Sequence, residues 1–305
     1  MKEGTMRKKV LHIFSLLAIL VIMVSCIEFE HQTMTYTIIN DELLIFQEYE
    51  GIYGAKNTNK LTAQEMVELN SVLQSGRTFF FANWIFEYDK KIITETLATW
   101  NDKNSKHTVK EISSMKIYRP LLQHLLQNVK VTNGKLYYNQ QGQLSGYQTV
   151  RVKNITQLIT LTNRAISQSI LAKFNNKHTS PETKAMMTAK AKADFQWLKI
   201  TGNKIIIEWP MTASDYKMMQ DKIKEDQKKN KPNNYLLFQL MTKNISFHNN
   251  LVTTYIGKAN HIPVIISGKV FGPYYDNASS YLAQKTSIEK QLDLKQLKQE
   301  FFNRQ

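Results

Sequence analysis

Cysteine is nearly missing from this 305-residue chain. There is one, Cys26, so no intrachain disulfide can form and no cysteine-based zinc site can be built. After residue 27 no further hydrophobic run approaches the length needed to cross a bilayer, so the rest of the chain is expected to fold in water. Motifs that carry chemistry are equally scarce. There is no phosphate loop and no dinucleotide fingerprint. The nearest approach to a nucleophile elbow, Gly142-Gln143-Leu144-Ser145-Gly146, has its serine one position late. His31, His107, His124, His178, His248 and His261 are scattered without ligand spacing, so neither a metal nor a cofactor is expected.

Ser-x-x-Lys occurs at Ser113-Lys116, Ser214-Lys217 and Ser287-Lys290. A serine nucleophile with a lysine base uses this spacing, but only with companion motifs that are missing here, and a lysine-rich chain produces such matches by chance. The carboxylate pair of a polysaccharide hydrolase needs no proximity in sequence, so that chemistry stays open as an alternative. Negative charge is in short supply, with 25 acidic against 40 basic residues and a net charge of +15. The lysines are spread through the chain, whereas a steering field needs clustering. A nucleic-acid partner has only this charge in its favour and is not expected.

What is present stands at the N-terminus. Met1 to Lys9 is polar and positive, and Val10 to Val24 follows without a charge. Ser25 then offers a small residue before Cys26, which completes the layout of a secretory leader. Met23-Val24-Ser25-Cys26 resembles the lipobox of bacterial lipoproteins. The resemblance covers the first 26 residues. It implies cleavage before Cys26, a diacylglyceryl group on the Cys26 thiol, and acylation of the new N-terminus. In the same family an Asp after the cysteine retains the protein at the inner membrane. Ile27 stands there, which by the family's rule for proteobacteria permits onward transport, so an outer-membrane destination is favoured over the inner membrane. A stretch of this length could also persist as an uncleaved signal anchor, or belong to an ordinary secretory leader. All three readings export the domain.

The segment after the leader alternates strand and helix signals. Thr33–Ile39 and Leu43–Tyr49, broken by Asn40-Asp41, read as a hairpin. Thr62 and Glu65 form a capping box for a helix carrying Met66, Leu69 and Leu73. Phe79–Tyr88 is the densest aromatic run and reads as a buried strand. After a polar loop at Asn101–Lys110, a helix is expected through Leu121–Leu126. Three strands follow at Val129–Val131, Leu136–Tyr138 and Tyr147–Val152, the first turn placed at Asn133-Gly134. Asn154 is expected to cap a helix whose apolar face includes Ile155, Leu158 and Ile170. Trp197–Ile200 and Lys204–Trp209 flank Thr201-Gly202-Asn203, and a charged helix is expected from Ser214-Asp215. Ile245–Phe247, Leu251–Ile256 and Ile262–Ile266 read as one more antiparallel set, and Thr286–Glu289 as the capping box of a helix reaching Phe301.

The order of hairpins and helices predicts an α+β fold, with antiparallel sheets and packed helices behind a hydrophobic leader. The expected organisation is a signal peptide over 1–25, a soluble α+β region over 26–285 and a C-terminal helix over 286–305. The middle region is one large domain or two smaller ones divided near 175–196. Cys26 is the expected lipidation site and the bilayer its partner. Tyr274, Tyr275 and Tyr281, in and beside a turn-rich loop, combine apolar faces with polar tips and are the candidate ligand contacts. The expected function is a non-enzymatic binding or scaffolding domain at the envelope, its partner another envelope protein or a glycan.

Overall fold

A computed structural model describes residues 27–54, 61–78, 88–102, 104–173, 179–228, 245–256, 262–265 and 292–303. The fold is α+β, as the sequence predicts, with two antiparallel sheets. The first half of the described chain contributes β1 (Ile27–Ile39), β2 (Glu42–Gly54), α1 (Ala63–Gln74), α2 (Lys90–Asn101), α3 (Val109–Asn128), β3 (Val129–Tyr138) and β4 (Leu144–Lys153). The second half contributes α4 (Ile155–Lys173), α5 (Pro181–Lys192), β5 (Leu198–Thr201), β6 (Lys204–Pro210) and α6 (Ala213–Lys228). It continues with β7 (Ser246–His248), β8 (Leu251–Ile256), β9 (Ile262–Ile265) and α7 (Leu294–Asn303). The larger sheet has the order β3-β4-β2-β1-β9 and the smaller one β5-β6-β8-β7.

The β1–β2 hairpin forms where the sequence places it, and it is longer than expected, running from Ile27↔Gly54 to Ile39↔Glu42. Asn40 and Asp41 close it with φ of 50° and 60°. These two residue types tolerate the left-handed region, and a two-residue turn of this hand matches the strand twist. Along β2, Leu43, Ile45, Gln47 and Tyr49 face one way and Leu44, Phe46 and Glu48 the other. Both sets are buried. Gly51, at φ 66°, breaks the alternation, so Tyr49 and Ile52 join the same core cluster.

That inner face packs in two blocks. Ile27, Phe29, Tyr49, Ile52, Leu136 and Leu144 meet Met66 and Leu69 of α1. Met34, Tyr36, Leu43, Ile45, Val150 and Val152 meet Ile155 and Leu158 of α4 and Ile205 of β6. Helices α2 and α3 add a third block through Ile93, Leu97, Trp100, Met115, Tyr118 and Leu122. Between the first two blocks runs a row of amides, Gln47↔Gln148↔Asn133, on one rung of β2, β4 and β3. Asn133 Nδ2 donates to the carbonyls of Val72, Leu73 and Ser75 at 3.1, 2.6 and 3.0 Å, which terminates α1. Buried polar groups persist in a core only when paired, and here one side chain satisfies several orphan carbonyls at a helix end.

Four local expectations are corrected. Asn133-Gly134 does not turn: β3 runs through it, with a register shift between Asn133 and Leu136, and the turn falls at Asn139–Gln143. The physical reason is the neighbour. A Cβ at Gly134 would fall inside the Tyr147 ring, so the glycine serves close packing rather than hairpin reversal. Asn154 has φ 51° and donates its amide to Asn128 Oδ1, while Asp41 Oδ1, from the β1–β2 turn, accepts from Thr156 N at 2.9 Å and caps α4 in its place. The expected set of three late strands divides, since β7 pairs with β8 but β9 joins β1 of the larger sheet. Helices α2 and α5 were not foreseen, and α3 begins at Val109, inside the stretch read as a loop. The boundary region 175–196 carries α5, whose Met187 and Ala191 pack with Ile170 of α4 and with Trp197.

Candidate functional site

The expected site residues Cys26, Tyr274, Tyr275 and Tyr281 lie outside the described residues, as do most of the aromatic run Phe79–Tyr88 and the capping box Thr286–Glu289. The Ser-x-x-Lys matches that can be located are solvated: Ser113, Lys116, Ser214 and Lys217 are all exposed on helices. Among the described residues no group of three His, Cys, Asp or Glu is placed to hold a metal ion, and no helix is long and apolar enough to cross a membrane.

Charged and aromatic side chains meet on the outer face of the larger sheet, under α7. On this face β2 presents Phe46 and Glu48, and β4 presents Ser145 and Tyr147. Phe46 and Tyr147 stack at 5.2 Å with an interplanar angle of 2°. Gly134 of β3 leaves room for the Tyr147 ring, which stacks on Phe46 across β4 and β2. Helix α7 rests on it through Phe301, 6.1 Å from Phe46, and through Lys298, whose ammonium lies 5.5 Å from the Phe46 centroid and pairs with the Glu48 carboxylate. Neither charge is far out in solvent, since the side chains are 25% and 11% exposed. The pair is therefore less screened than a surface ion pair.

Tyr137 lies nearby on β3, opposite Ser145. Burial pushes its phenol well above the ordinary range, and the charges of Glu48 and Glu50 push the same way. The phenol therefore stays protonated at any physiological pH. No buried residue lies on α7 itself. Its outer side borders a shallow recess of about 560 Å³ lined by Gln296, Gln299, Glu300 and Asn303, which contributes one carboxylate. Among the described residues that recess holds one carboxyl group, not the two across a cleft that a glycoside hydrolase needs.

Several other acidic groups are engaged in holding the fold. Glu65 and Glu111 complete capping boxes, Asp89 caps α2, and Asp41 caps α4. Glu42 pairs with Arg151 and Glu208 with Lys199, the latter at 2.6 Å. Asp215 accepts from Ser180 Oγ at 2.6 Å, while Ser180 caps α5 and Thr212 Oγ1 accepts from Asp215 N. Burial disfavours its charge, but hydrogen bonds from Ser180, Thr183 and Thr212 outweigh that, so its carboxyl lies below the usual range. One carboxylate thus serves where two helices start, the end of a helix that favours negative charge.

The Glu48–Lys298 pair joins residues 250 positions apart and was not foreseen. Two signals pointed to it: the charges Glu48 and Glu50 within a largely apolar strand, and the stripe Leu294, Leu297 and Phe301 beside Lys298. Compared with known protein families, curated proteins and solved structures, the chain matches none.

Proposed function

We propose that this chain is a bacterial envelope lipoprotein, cleaved before Cys26 and lipidated there, whose α+β domain binds or scaffolds another envelope component. The reading is carried by the leader: a positive start, the uncharged run Val10–Val24, and Ser25-Cys26 at its end. Ile27, the residue that would follow the lipidated cysteine, is 5% exposed and paired in β1. Support for binding rather than catalysis comes from the acids named above, which act as caps and ion-pair partners. An outer-membrane destination follows from Ile27 by resemblance to the lipoprotein family.

An acyl anchor works by area. Each buried methylene contributes about 0.8 kcal/mol, so one chain holds reversibly and two or three hold firmly. Feeding cells an alkyne fatty acid should label the wild-type protein and leave Cys26→Ala unlabelled. Labelling that survives the substitution would place the lipid elsewhere. The binding half of the proposal is tested by crosslinking the tethered protein in intact envelopes. A partner protein or glycan should be recovered with the wild type, and recovery of none would count against a binding role.

A further inference from the structure

The residue after Cys26, Ile27, lies in β1. Ile27 is 5% exposed and pairs with Gly54, so the anchor point and the rigid sheet are one residue apart, about 3.8 Å between Cα atoms. A flexible tether would leave the domain free to turn. A ten-residue Gly/Ser linker, for comparison, spans about 17 Å root-mean-square. Here the end of the larger sheet that holds Ile27 and Gly54 must lie at the membrane surface.

The register shows what else lies at that end. Tyr49 pairs with Gly146. Moving five residues along β2 from Tyr49 gives Gly54, and moving the same distance back from Gly146 gives Gln141. The tip of the β3–β4 turn is therefore level with the anchored strand end, two to three strand spacings or about 10–14 Å to the side. Gln140, Gln141 and Gly142 are exposed there, and the turn Asn139–Gln143 carries no charge. The turn is rigid: Gln143 N donates to Asn139 Oδ1 at 2.8 Å, and Asn139 Nδ2 donates to Gln143 Oε1 at 2.9 Å. Exposed amides without charge suit the phosphate and glycerol oxygens of a headgroup layer, with no repulsion from anionic lipids.

The smaller sheet is fixed at the other end of β1. Tyr36 Oη donates to Asn203 O at 3.4 Å, and Ile38 N and Thr37 Oγ1 donate to Asn203 Oδ1. Burial pushes the Tyr36 phenol up to about 12, so it remains a donor. From Ile27 to Ile38 an extended strand covers on the order of 36 Å. We infer that the domain sits on a lipid surface in one orientation, with the Ile27–Gly54 strand ends and the Asn139–Gln143 turn at headgroup level and the β5–β6 turn held well clear of the bilayer. This rests on the anchored reading above, and it holds equally for an uncleaved anchor, whose apolar run also ends next to β1.

The test uses the full-length chain, expressed, processed and purified from membranes, then reconstituted into phosphatidylcholine vesicles containing a lipid with a headgroup nitroxide. A bimane is placed on Gln141→Cys or on Thr201→Cys, both exposed positions. In a lipidated protein Cys26 is blocked. If the mass of the preparation shows an uncleaved chain, the Cys26→Ser background is used. The inference predicts loss of most fluorescence at position 141 and none at 201. Ten Gly/Ser residues inserted between Cys26 and Ile27 should erase the difference. Equal quenching at both positions in a vesicle-bound protein would overturn the orientation and leave the anchor standing. A cleaved, unlipidated chain that stays off the vesicles would overturn both.

Discussion

The two sheets are stabilised in different ways. In the larger one, β1 and β2 are 13 residues long and β2 is buried on both faces, with Leu44, Ile45, Phe46 and Gln47 no more than 1% exposed. In the smaller one the strands have four, seven, three and six residues, and β5 and most of β6 are only half-buried. It is held by fewer, more individual contacts. Asn163 of α4 clasps the edge of β5, donating to Leu198 O at 2.9 Å and accepting from Leu198 N at 2.8 Å. Trp197, 1% exposed, donates to Ser167 Oγ at 2.8 Å and packs against Phe195 and Trp209. Hydrophobic burial scales with area. The larger sheet therefore carries most of the stability, and the smaller one is an attachment secured by α4 and by the turn at Asn203.

The sharpest break of this comparison is a matched pair of truncations. Ile45→Ala, at a position 0% exposed, should lose about 3–4 kcal/mol, while Ile206→Ala, half-buried in β6, should lose about 1 kcal/mol. Urea unfolding of the two variants measures the difference, and equal losses would mean that the sheets are equivalent. Next in size is Gly134→Ala. It drives a methyl group into the Tyr147 ring and should cost about 2 kcal/mol. Adding Tyr147→Ser should recover part of that loss, since the new methyl then has room; no recovery would show that Gly134 is needed for its backbone instead.

Much of the large sheet was legible in the sequence, and the reason is local. Asn40-Asp41 fits a two-residue turn, and Thr62 with Glu65 is a capping box, so each signal and its consequence lie within a few residues. Helix α2 was missed although Asp89 caps it and Ile93, Leu97 and Trp100 mark its buried face, because its threonines and isoleucines favour strands. Helix α5 was missed although Ser180-Pro181 is a start signal. The turn at Asn133-Gly134 was misread for the opposite reason: a strong local motif was overruled by a ring from the next strand. Nothing local to β9 says that it leaves its neighbours for β1. The same limit hid the candidate face, where Lys298 reaches Glu48 across most of the chain.

Smaller effects refine the picture. Lys298→Ala removes the partner of a buried carboxylate and should destabilise by about 1 kcal/mol, part of the loss coming from the Phe46 contact. Its check is hydrogen exchange: β2 amides near Glu48 should lose protection while β5 and β6 are unchanged. The two regions should also differ in their response to acid. His124, 6% exposed among α3, β4 and the β1–β2 turn, has its pKa lowered by burial, with the backbone of Asn154 and Lys153 and the Asp41 charge offsetting only part of this. The unfolded chain then binds the proton more readily, so this contribution is complete above the ordinary histidine value of about 6.5 and is lost as pH falls below it. Asp215 belongs to the smaller region, and its lowered pKa gives stability that is lost only as pH falls below the ordinary carboxylate range, about 4. Stability measured against pH should therefore show a first decline that His124→Gln removes and a later one that Asp215→Asn removes.

The claim on which the account turns is that the folded domain starts one residue after a lipidated cysteine. The most direct measurement is the intact mass of the membrane-extracted protein, wild type beside Cys26→Ala. The account predicts a wild-type mass equal to the chain from Cys26 onward plus acyl groups, and loss of that species in the variant. An uncleaved, unlipidated chain in both would contradict it and make the apolar run before β1 a signal anchor.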